Sequence, residues 1–401
     1  MSTGPMTYRD YPHVYPPTRP RPLIEQIPDY RDDLDVSDEE DGFYARDDDF
    51  FLPPKFHAAL LRTTDRIPRR IKRHCVAYIL VFILAIVSWW TYFGPRRAAF
   101  REELRLMDTT PTMNYGSHVR PEFKGMIHVM DMDEQHLPKE NKRLVFVGDV
   151  HGCRDELQRL LEKVAFDHKH DHLVLTGDMI AKGPDSAGVI HLAQKVGASC
   201  VRGNWEDKLL LSIAEAQDRK VLIPADANAS PDTKIDFVGE ATAAHGNAKL
   251  RKLAKQFTKG QIDYLRQCPV ILRVGTVPTL GNLVTVHAGL VPDTPLEHQD
   301  PFHVMNMRSI DLKTRIPSSK HDGTPWEKFW NHRQEKMKEK DRTTVIYGHN
   351  RKKGLNVRNY SFGLDTGCVS GGKLTALVVD GEGKTEIVQV ECKSEGGYAS
   401  D

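Results

Sequence analysis

The stretch Cys75–Phe93 reads CVAYILVFILAIVSWWTYF, with no charge and only Ser88 and Thr91 plainly polar. A helix rises about 1.5 Å per residue, so this run just crosses a hydrocarbon layer roughly 30 Å thick. Its far end carries Trp89, Trp90 and Tyr92, amphipathic rings of the kind that settle at a membrane–water boundary. A helix buried in a soluble core is the alternative reading, but a core helix of this length usually carries a polar stripe. A cleaved signal peptide fits less well, because a long segment precedes the run and no small-residue cleavage site follows it. Arg66, Arg69, Arg70, Lys72 and Arg73 lie before the span and Arg96, Arg97 and Arg101 after it. This excess puts the N-terminus in the cytosol and residues 95–401 across the membrane, with membrane lipid as a partner of the span. Asn-x-Ser sequons at Asn228 and Asn359 would then face a lumen, the first weakened by Pro231.

The span divides the chain unequally. Residues 1–70 read as a disordered cytosolic tail, punctuated by Pro16, Pro17, Pro20 and Pro22 and carrying the acidic runs Asp38-Glu39-Glu40-Asp41 and Asp47-Asp48-Asp49. Such a segment has too little apolar surface to offset the entropy of ordering it; a sorting or partner-binding role is its functional alternative. Residues 95–140 read as a polar linker, and residues 393–401 as a short C-terminal tail. Lys and Arg number 56 against 55 Asp and Glu, so net charge names no partner and nucleic acid is not expected. Six scattered cysteines lack a C-x-x-C pair, which excludes a zinc ribbon. They read as buried thiols, with one or two bridges open to them in an oxidising lumen.

From Asn141 to Cys392 the texture is that of a folded domain. Leu144–Val147 is a short apolar run, and Arg154–Val164 places Leu157, Leu160, Leu161 and Val164 on one helical side. Strands at His172–Leu175 and Ser199–Arg202 alternate with helices at Ser186–Val196 and Trp205–Ala216. Later strands near Val270–Val274, Leu283–Val286, Thr344–Tyr347, Leu374–Val379 and Glu386–Val390 have no long helices between the last of them. An α/β sandwich follows, with a second, partly antiparallel sheet. Arg219–Lys259 reads as a polar insertion with a helical end.

The chemistry sits at the strand ends. In order these are Gly148-Asp149-Val150-His151-Gly152, Gly177-Asp178, Gly203-Asn204, Val286-His287-Ala288-Gly289 and Tyr347-Gly348-His349-Asn350. Layered α/β folds bind ligands outside the carboxyl ends of strands. Each motif pairs a metal-ligating side chain with glycine, which permits a tight turn and a close approach. One Gly-Asp after a strand is usually only a turn. Five such motifs in one domain point to a site for divalent ions that accept oxygen and imidazole donors.

These motifs, in this order, resemble the calcineurin-like metallophosphoesterases, in the branch of protein Ser/Thr phosphatases and symmetrical diadenosine tetraphosphatases. Gly177–Ser186, Gly363–Cys368 and Gly371–Leu377 are similar to blocks of the tetraphosphatases, and the added membrane span is shared with the vacuolar endopolyphosphatases of fungi. The resemblance implies a β-sandwich flanked by helices, a vacuolar membrane and two divalent ions, zinc first and manganese, cobalt, magnesium or iron as alternatives. It implies that Asp149, His151 and His349 ligate one ion, that Asn204 and His287 ligate the other, and that Asp178 bridges both. Asp149, His151, Asp178 and Asn204 become the catalytic group, around a hydroxide that attacks phosphorus in line. Lys182, Arg202 and Arg351 would offset phosphate charge.

Two departures from the protein phosphatases bear on substrate. Their Asn block continues with a His that pairs with a second-block Asp to protonate the leaving alkoxide; here those positions are Trp205 and Ala181, and the second-block Arg is Lys182. A general acid contributes typically about 10²–10⁴-fold, whereas a phosphate leaving an anhydride needs little help because its last ionisation lies near ~6. The expected reaction is hydrolysis of phosphoanhydrides, foremost the internal bonds of inorganic polyphosphate. The alternatives are a nucleoside polyphosphate hydrolase, a protein phosphatase, or a metal-free binding module tethered to a membrane; Trp205 also admits a plain packing role. Lys249, Arg251, Lys252 and Lys255 read as a solvated helix face. Arg351-Lys352-Lys353, fixed in position by His349, reads as a track for a polyanion.

Overall fold

Strand β2 (Arg143–Val147) is buried along nearly its whole length, and its side chains alternate between two cores. Leu144 and Phe146 enter a cluster shared with Leu272, Val274, Leu283, Ile346 and Phe362, while Val145 and Val147 meet helix residues such as Leu157 and Leu160. A strand with apolar neighbours on both faces reads as a continuous hydrophobic run, which is why its sequence showed no alternation. The computed structural model describes residues 69–109, 125–139, 141–218 and 248–393. Residues 1–68 of the expected tail, the Asn228 sequon, most of the polar insertion and residues 394–401 lie outside the described residues.

Two mixed sheets face each other. The first, in order β14-β13-β2-β3-β4, comprises β14 (Thr385–Glu391), β13 (Lys373–Val379), β2, β3 (Asp171–Leu175) and β4 (Ser199–Cys200). Strands β2, β3 and β4 run parallel, and β13 and β14 add antiparallel pairs at one edge. The second sheet runs β1-β5-β6-β10-β12-β11: β1 (Val129–Asp131), β5 (Ile271–Val277), β6 (Gly281–Val286), β10 (Thr343–Tyr347), β12 (Ser361–Gly363) and β11 (Asn356–Arg358). A small third sheet joins β7 (Ser309–Ile310) to β8 (Pro317–Ser318) and β9 (Thr324–Pro325).

Helices cover both outer faces. Against the first sheet pack α3 (Arg154–Lys163), α4 (Ser186–Lys195), α5 (Asn204–Asp218) and α7 (Lys259–Gln267), through Leu160, Val189, Leu209 and Ile262. Between α5 and α7 the chain forms the short α6 (Ala248–Ala254). The second sheet carries α8 (Pro301–Asn306) and α9 (Trp326–Lys336), through Val304, Trp326 and Phe329. The expected helix–sheet–sheet–helix sandwich is therefore the observed one, with strand boundaries within a few residues of those read from sequence.

The segment read as a linker differs. Residues 69–108 are helical throughout, as α1 (Arg69–Ser88), one wider turn (Trp89–Phe93) and α2 (Gly94–Asp108). Arg73–Asp108 contains one stretch long and apolar enough to cross a membrane, and none of that stretch is buried. The end of α2 docks on the second sheet's helical face: Met107 is buried, Lys328 meets Glu103 at 2.6 Å, and Arg315 donates to the carbonyls of Leu106 and Thr109. Farther on, β1 pairs in parallel with β5 as an edge strand. Both elements escaped notice because α2 buries Met107 alone and β1 is three residues long with none of them fully buried. Two disulfides, Cys200–Cys268 and Cys368–Cys392, pair four of the cysteines; Cys153 is a buried thiol and Cys75 an exposed one.

Candidate metal centre

All five motifs open where a strand ends, and the two sheets bring those ends to one rim. Asp149 follows β2, Asp178 follows β3, Asn204 begins α5 after β4, His287 follows β6 and His349 follows β10. Ligating atoms of Asp149, Asp178 and His287 lie within 4.8 Å of one another, all buried. His151 Nε2 is 3.4 Å from Asp178 Oδ2 and 3.9 Å from Asp149 Oδ2, and His287 Nε2 is 3.4 Å from Asp178 Oδ1. Asp178 thus stands between the two histidines, where a bridging ligand belongs.

Each histidine is aimed from behind. The Nδ1 atoms of His151 and His287 lie 3.0 and 2.9 Å from the carbonyls of Ile180 and Thr176, and His349 Nε2 lies 3.1 Å from that of Asn306. A carbonyl accepts only, so each of these nitrogens carries the hydrogen and the other nitrogen presents its lone pair inward. One end of the Asn204 carboxamide lies within 3.1 to 3.2 Å of His287 Nε2 and both Asp178 oxygens, all of them acceptors. Two carboxylates, imidazole lone pairs and an amide converge here, with the Lys182 ammonium beside His151, and such oxygen and imidazole donors suit divalent cations, so the donor set fits the implied pair of ions.

His349 departs from its expected grouping. Its Nδ1 is 3.2 Å from His287 Nε2, so its ring joins the His287 and Asn204 side of the cluster rather than that of His151. Its backbone N–H, however, donates to Asp149 at 3.0 Å, which locks the ends of β2 and β10 together. That contact needs Gly348, because a Cβ there would lie 1.9 Å from Asp149 Oδ1. His151, Asp178, Ala181, Lys182 and His349 all have positive φ, between 45° and 69°. Non-glycine residues rarely adopt this conformation, and it collects where function over-determines the backbone.

Burial sets the proton states. It pushes His151 down to about 3, assisted by the Lys182 charge, and holds His349 well below its ordinary value, assisted by Arg308. Both rings are therefore neutral and able to ligate at neutral pH. Burial drives Asp149 up, with Asp365 and Asp178 adding repulsion. Against its own burial Asp178 is held low by His287, His151 and Lys182. A cation would relieve the crowding of these carboxylates.

The three expected phosphate-binding residues separate. Lys182 is at the centre, its Nζ 2.9 Å from His151 Nε2 and 5.2 Å from the middle of the Trp205 ring. Arg202 is not available to a phosphate: it is 98% buried, pairs with Asp207 at 3.6 Å and donates to the carbonyls of Gly125 and Arg266. The resemblance implied a phosphate contact for it, but these partners hold its side chain inward. Arg351 is exposed, and its guanidinium donates to the Ser370 hydroxyl.

Three buried or half-buried residues had no assigned role in the sequence reading. Glu206 accepts from the backbone N–H groups of Asp178, Met179, Ile180 and Gly203, at 2.8 to 3.2 Å, and so clamps the Asp178 loop to the Asn204 loop. Burial and the nearby Asp178 push its pKa up, against the pull of these N–H groups. Asp365 is buried beside Asp149, and Arg308 reaches His349 with its charge. Spacing alone signals none of them: an acid in a first helical turn reads as a cap, and Arg308 follows no strand.

The calcineurin-like phosphoesterase family matches residues 142–371, more than half of the chain and every motif above. The chain belongs to that family. It is a metal-dependent phosphoesterase, with relatives named as an endopolyphosphatase and as bis(5'-nucleosyl)-tetraphosphatases. A zinc-dependent endopolyphosphatase of Saccharomyces cerevisiae is 28% identical over 284 residues, 64% of this chain and 83% of its own length. A symmetrical bis(5'-nucleosyl)-tetraphosphatase of Baumannia cicadellinicola is 29% identical over 269 residues, 58% of this chain and 88% of its own. Among solved structures, that of a candidate diadenosine tetraphosphatase is 30% identical with a TM-score of 0.50, covering 67% of this chain and 99% of the other.

Proposed function

We propose that the chain is a membrane-anchored endopolyphosphatase, cleaving internal anhydride bonds of inorganic polyphosphate with a pair of divalent ions, zinc foremost. The observation that carries this reading is the pairing of a complete ligand cluster with Ala181 and Trp205 at the positions where protein phosphatases keep their acid. Ala181 is buried and offers no proton, and the Trp205 ring stands edge-on to His151 with centroids 6.5 Å apart. A phosphate leaving group tolerates that loss; a serine alkoxide does not. Bound divalent ions would supply Lewis acidity and a nucleophile from water. The side chains do the rest. Asp149, His151 and Asp178 would hold one ion, Asp178, Asn204, His287 and His349 the other, and Lys182 would orient the phosphate under attack.

The 28% identical zinc-dependent endopolyphosphatase supports this substrate and this metal. A second reading, hydrolysis of dinucleoside polyphosphates, is favoured by the tetraphosphatase relatives and by Trp205, whose half-buried ring lies 5.2 and 5.3 Å from the ammonium groups of Lys182 and Lys208 and could stack a base. The unburied apolar helix supports a single-pass anchor. Two disulfides support an oxidising lumen for the catalytic part, and the vacuole is the membrane we favour. The test is the paired substitution Ala181→Asp with Trp205→His, followed by turnover of polyphosphate, diadenosine tetraphosphate and a phosphopeptide. Restoring the acid pair should raise phosphopeptide turnover relative to polyphosphate by about 10²-fold; an unchanged preference defeats the reading.

A further inference from the structure

Arg308 meets the metal centre on one side and a second group of cations on the other. It lies between α8 and β7, and its Nη1 donates to the Ser319 carbonyl at 2.7 Å. Ser319 opens a loop, residues 319–323, that folds back on β7: the Ser309 hydroxyl donates to Lys320 O at 2.7 Å and accepts from Gly323 N at 3.1 Å. Lys320 and His321 are exposed on that loop. The facing wall is the turn Arg351–Lys353, which follows the His349 motif directly and is fixed by a bond of 2.9 Å from Lys353 N to Asn350 O. The Lys353 ammonium reaches Glu327 in the first turn of α9, next to β9. The Lys353–Glu327 pair, a few residues past the loop's end at Gly323, brings the turn beside the loop, and the charges of Arg308, Lys352 and Lys353 all reach the His321 ring. Two carboxylates belong to this neighbourhood. Glu327 is occupied by Lys353, and Asp322 is turned toward the Ser309 and Ser318 hydroxyls. Arg308, Lys320, Lys352 and Lys353 therefore outnumber the acids.

We infer that Arg308, Lys320, His321 and Lys352 line a basic strip that holds the phosphates of a linear chain beyond the bond being cut. The inference rests on the anhydride reading of the metal centre and adds a second contact to it. A chain gripped on one side of the cleavage point is presented by its middle, whereas a short substrate gains nothing from cations it cannot reach. The strip combines residues from three separate segments, so no single motif reports it.

The test uses the full chain and Lys320→Gln/Lys352→Gln, both surface positions, with Lys320→Arg/Lys352→Arg as the charge-retaining control. The ratio of kcat/KM for polyphosphate to that for tripolyphosphate should fall by about 10-fold in the Gln pair and recover in the Arg pair. Binding of long, methylene-bridged phosphate oligomers, which resist hydrolysis, should weaken to the same extent and lose part of its salt dependence. A ratio and an affinity equal to the parent's overturn the strip while leaving the metal centre standing. If the parent cleaves no polyphosphate, the function reading fails instead, and the oligomer affinities alone decide the strip: weakened in the Gln pair it stands, unchanged it falls.

Discussion

Glu206 shows how much of the centre depends on a residue that ligates nothing. Its carboxylate collects four backbone N–H groups from the loops that carry Asp178 and Asn204, and it is fully buried. Glu206→Gln keeps the volume but replaces one acceptor oxygen by a donor aimed at N–H groups. Metal affinity should fall by about 10–100-fold with the fold intact, read by metal titration beside circular dichroism; parent-like affinity would mean the loops hold themselves. A different side chain governs acid stability. His172 is buried against the stacked His136 ring and donates to or accepts from Ser199 Oγ at 2.8 Å, and burial pushes it down to about 4. Because its folded value lies below the ordinary value near ~6.5, the unfolded chain takes up the proton first, and stability declines as pH falls from about 6.5 to about 4. Denaturant melts across that window should show a loss of about 3 kcal/mol, flattened in His172→Gln; identical slopes in both would remove His172 as the cause. The ligands were legible in sequence because strand, glycine and ligand are contiguous. Glu206 and Arg308 were not, because their partners are backbone groups and loops distant in the chain.

Strands β4 and β5 illustrate the element scale. Cys200 ends β4 just before the Asn204 loop, and Cys268 ends α7 just before β5; their bridge spans a sequence separation of 68, and Arg202 N donates to Pro269 O beside it. The bridge therefore ties the Asn204 loop of one sheet to the first long strand of the other. Cys200→Ser/Cys268→Ser should lower stability by about 4 kcal/mol through the freed loop, measured by thermal melting. No change in melting, in the variant or under reductant, would assign the pair no structural role. Sequence left these cysteines open between thiols and bridges, since pairing depends on how two sheets pack and not on spacing. The same limit hid α2: Gly94-Pro95-Arg96-Arg97 reads as a breaker and a polar stretch, yet the wider turn Trp89–Phe93 carries the helix past Pro95, and Met107 at the far end docks in the core. By contrast the five central strands were visible, being short apolar runs buried on both faces.

At the scale of the whole molecule, two sheets facing each other put the ends of β2, β3, β4, β6 and β10 at one rim, and the site exists only because both sheets contribute. Asp149, Asp178 and Asn204 come from the first sheet, and His287 and His349 from the second. Asp178 lies at their junction, within 3.4 Å of ring nitrogens from His151 on one side and His287 on the other. Its removal should therefore disturb both ion sites, whereas loss of a ligand to one ion should disturb only its own. The most direct measurement is the divalent metal content of the purified chain and of Asp178→Asn, taken with polyphosphate turnover on the same samples. The parent should hold about two ions per chain and turn over, and Asp178→Asn should lose metal and activity together. An Asp178→Asn protein that keeps the parent's metal content and rate would contradict a centre built around that carboxylate.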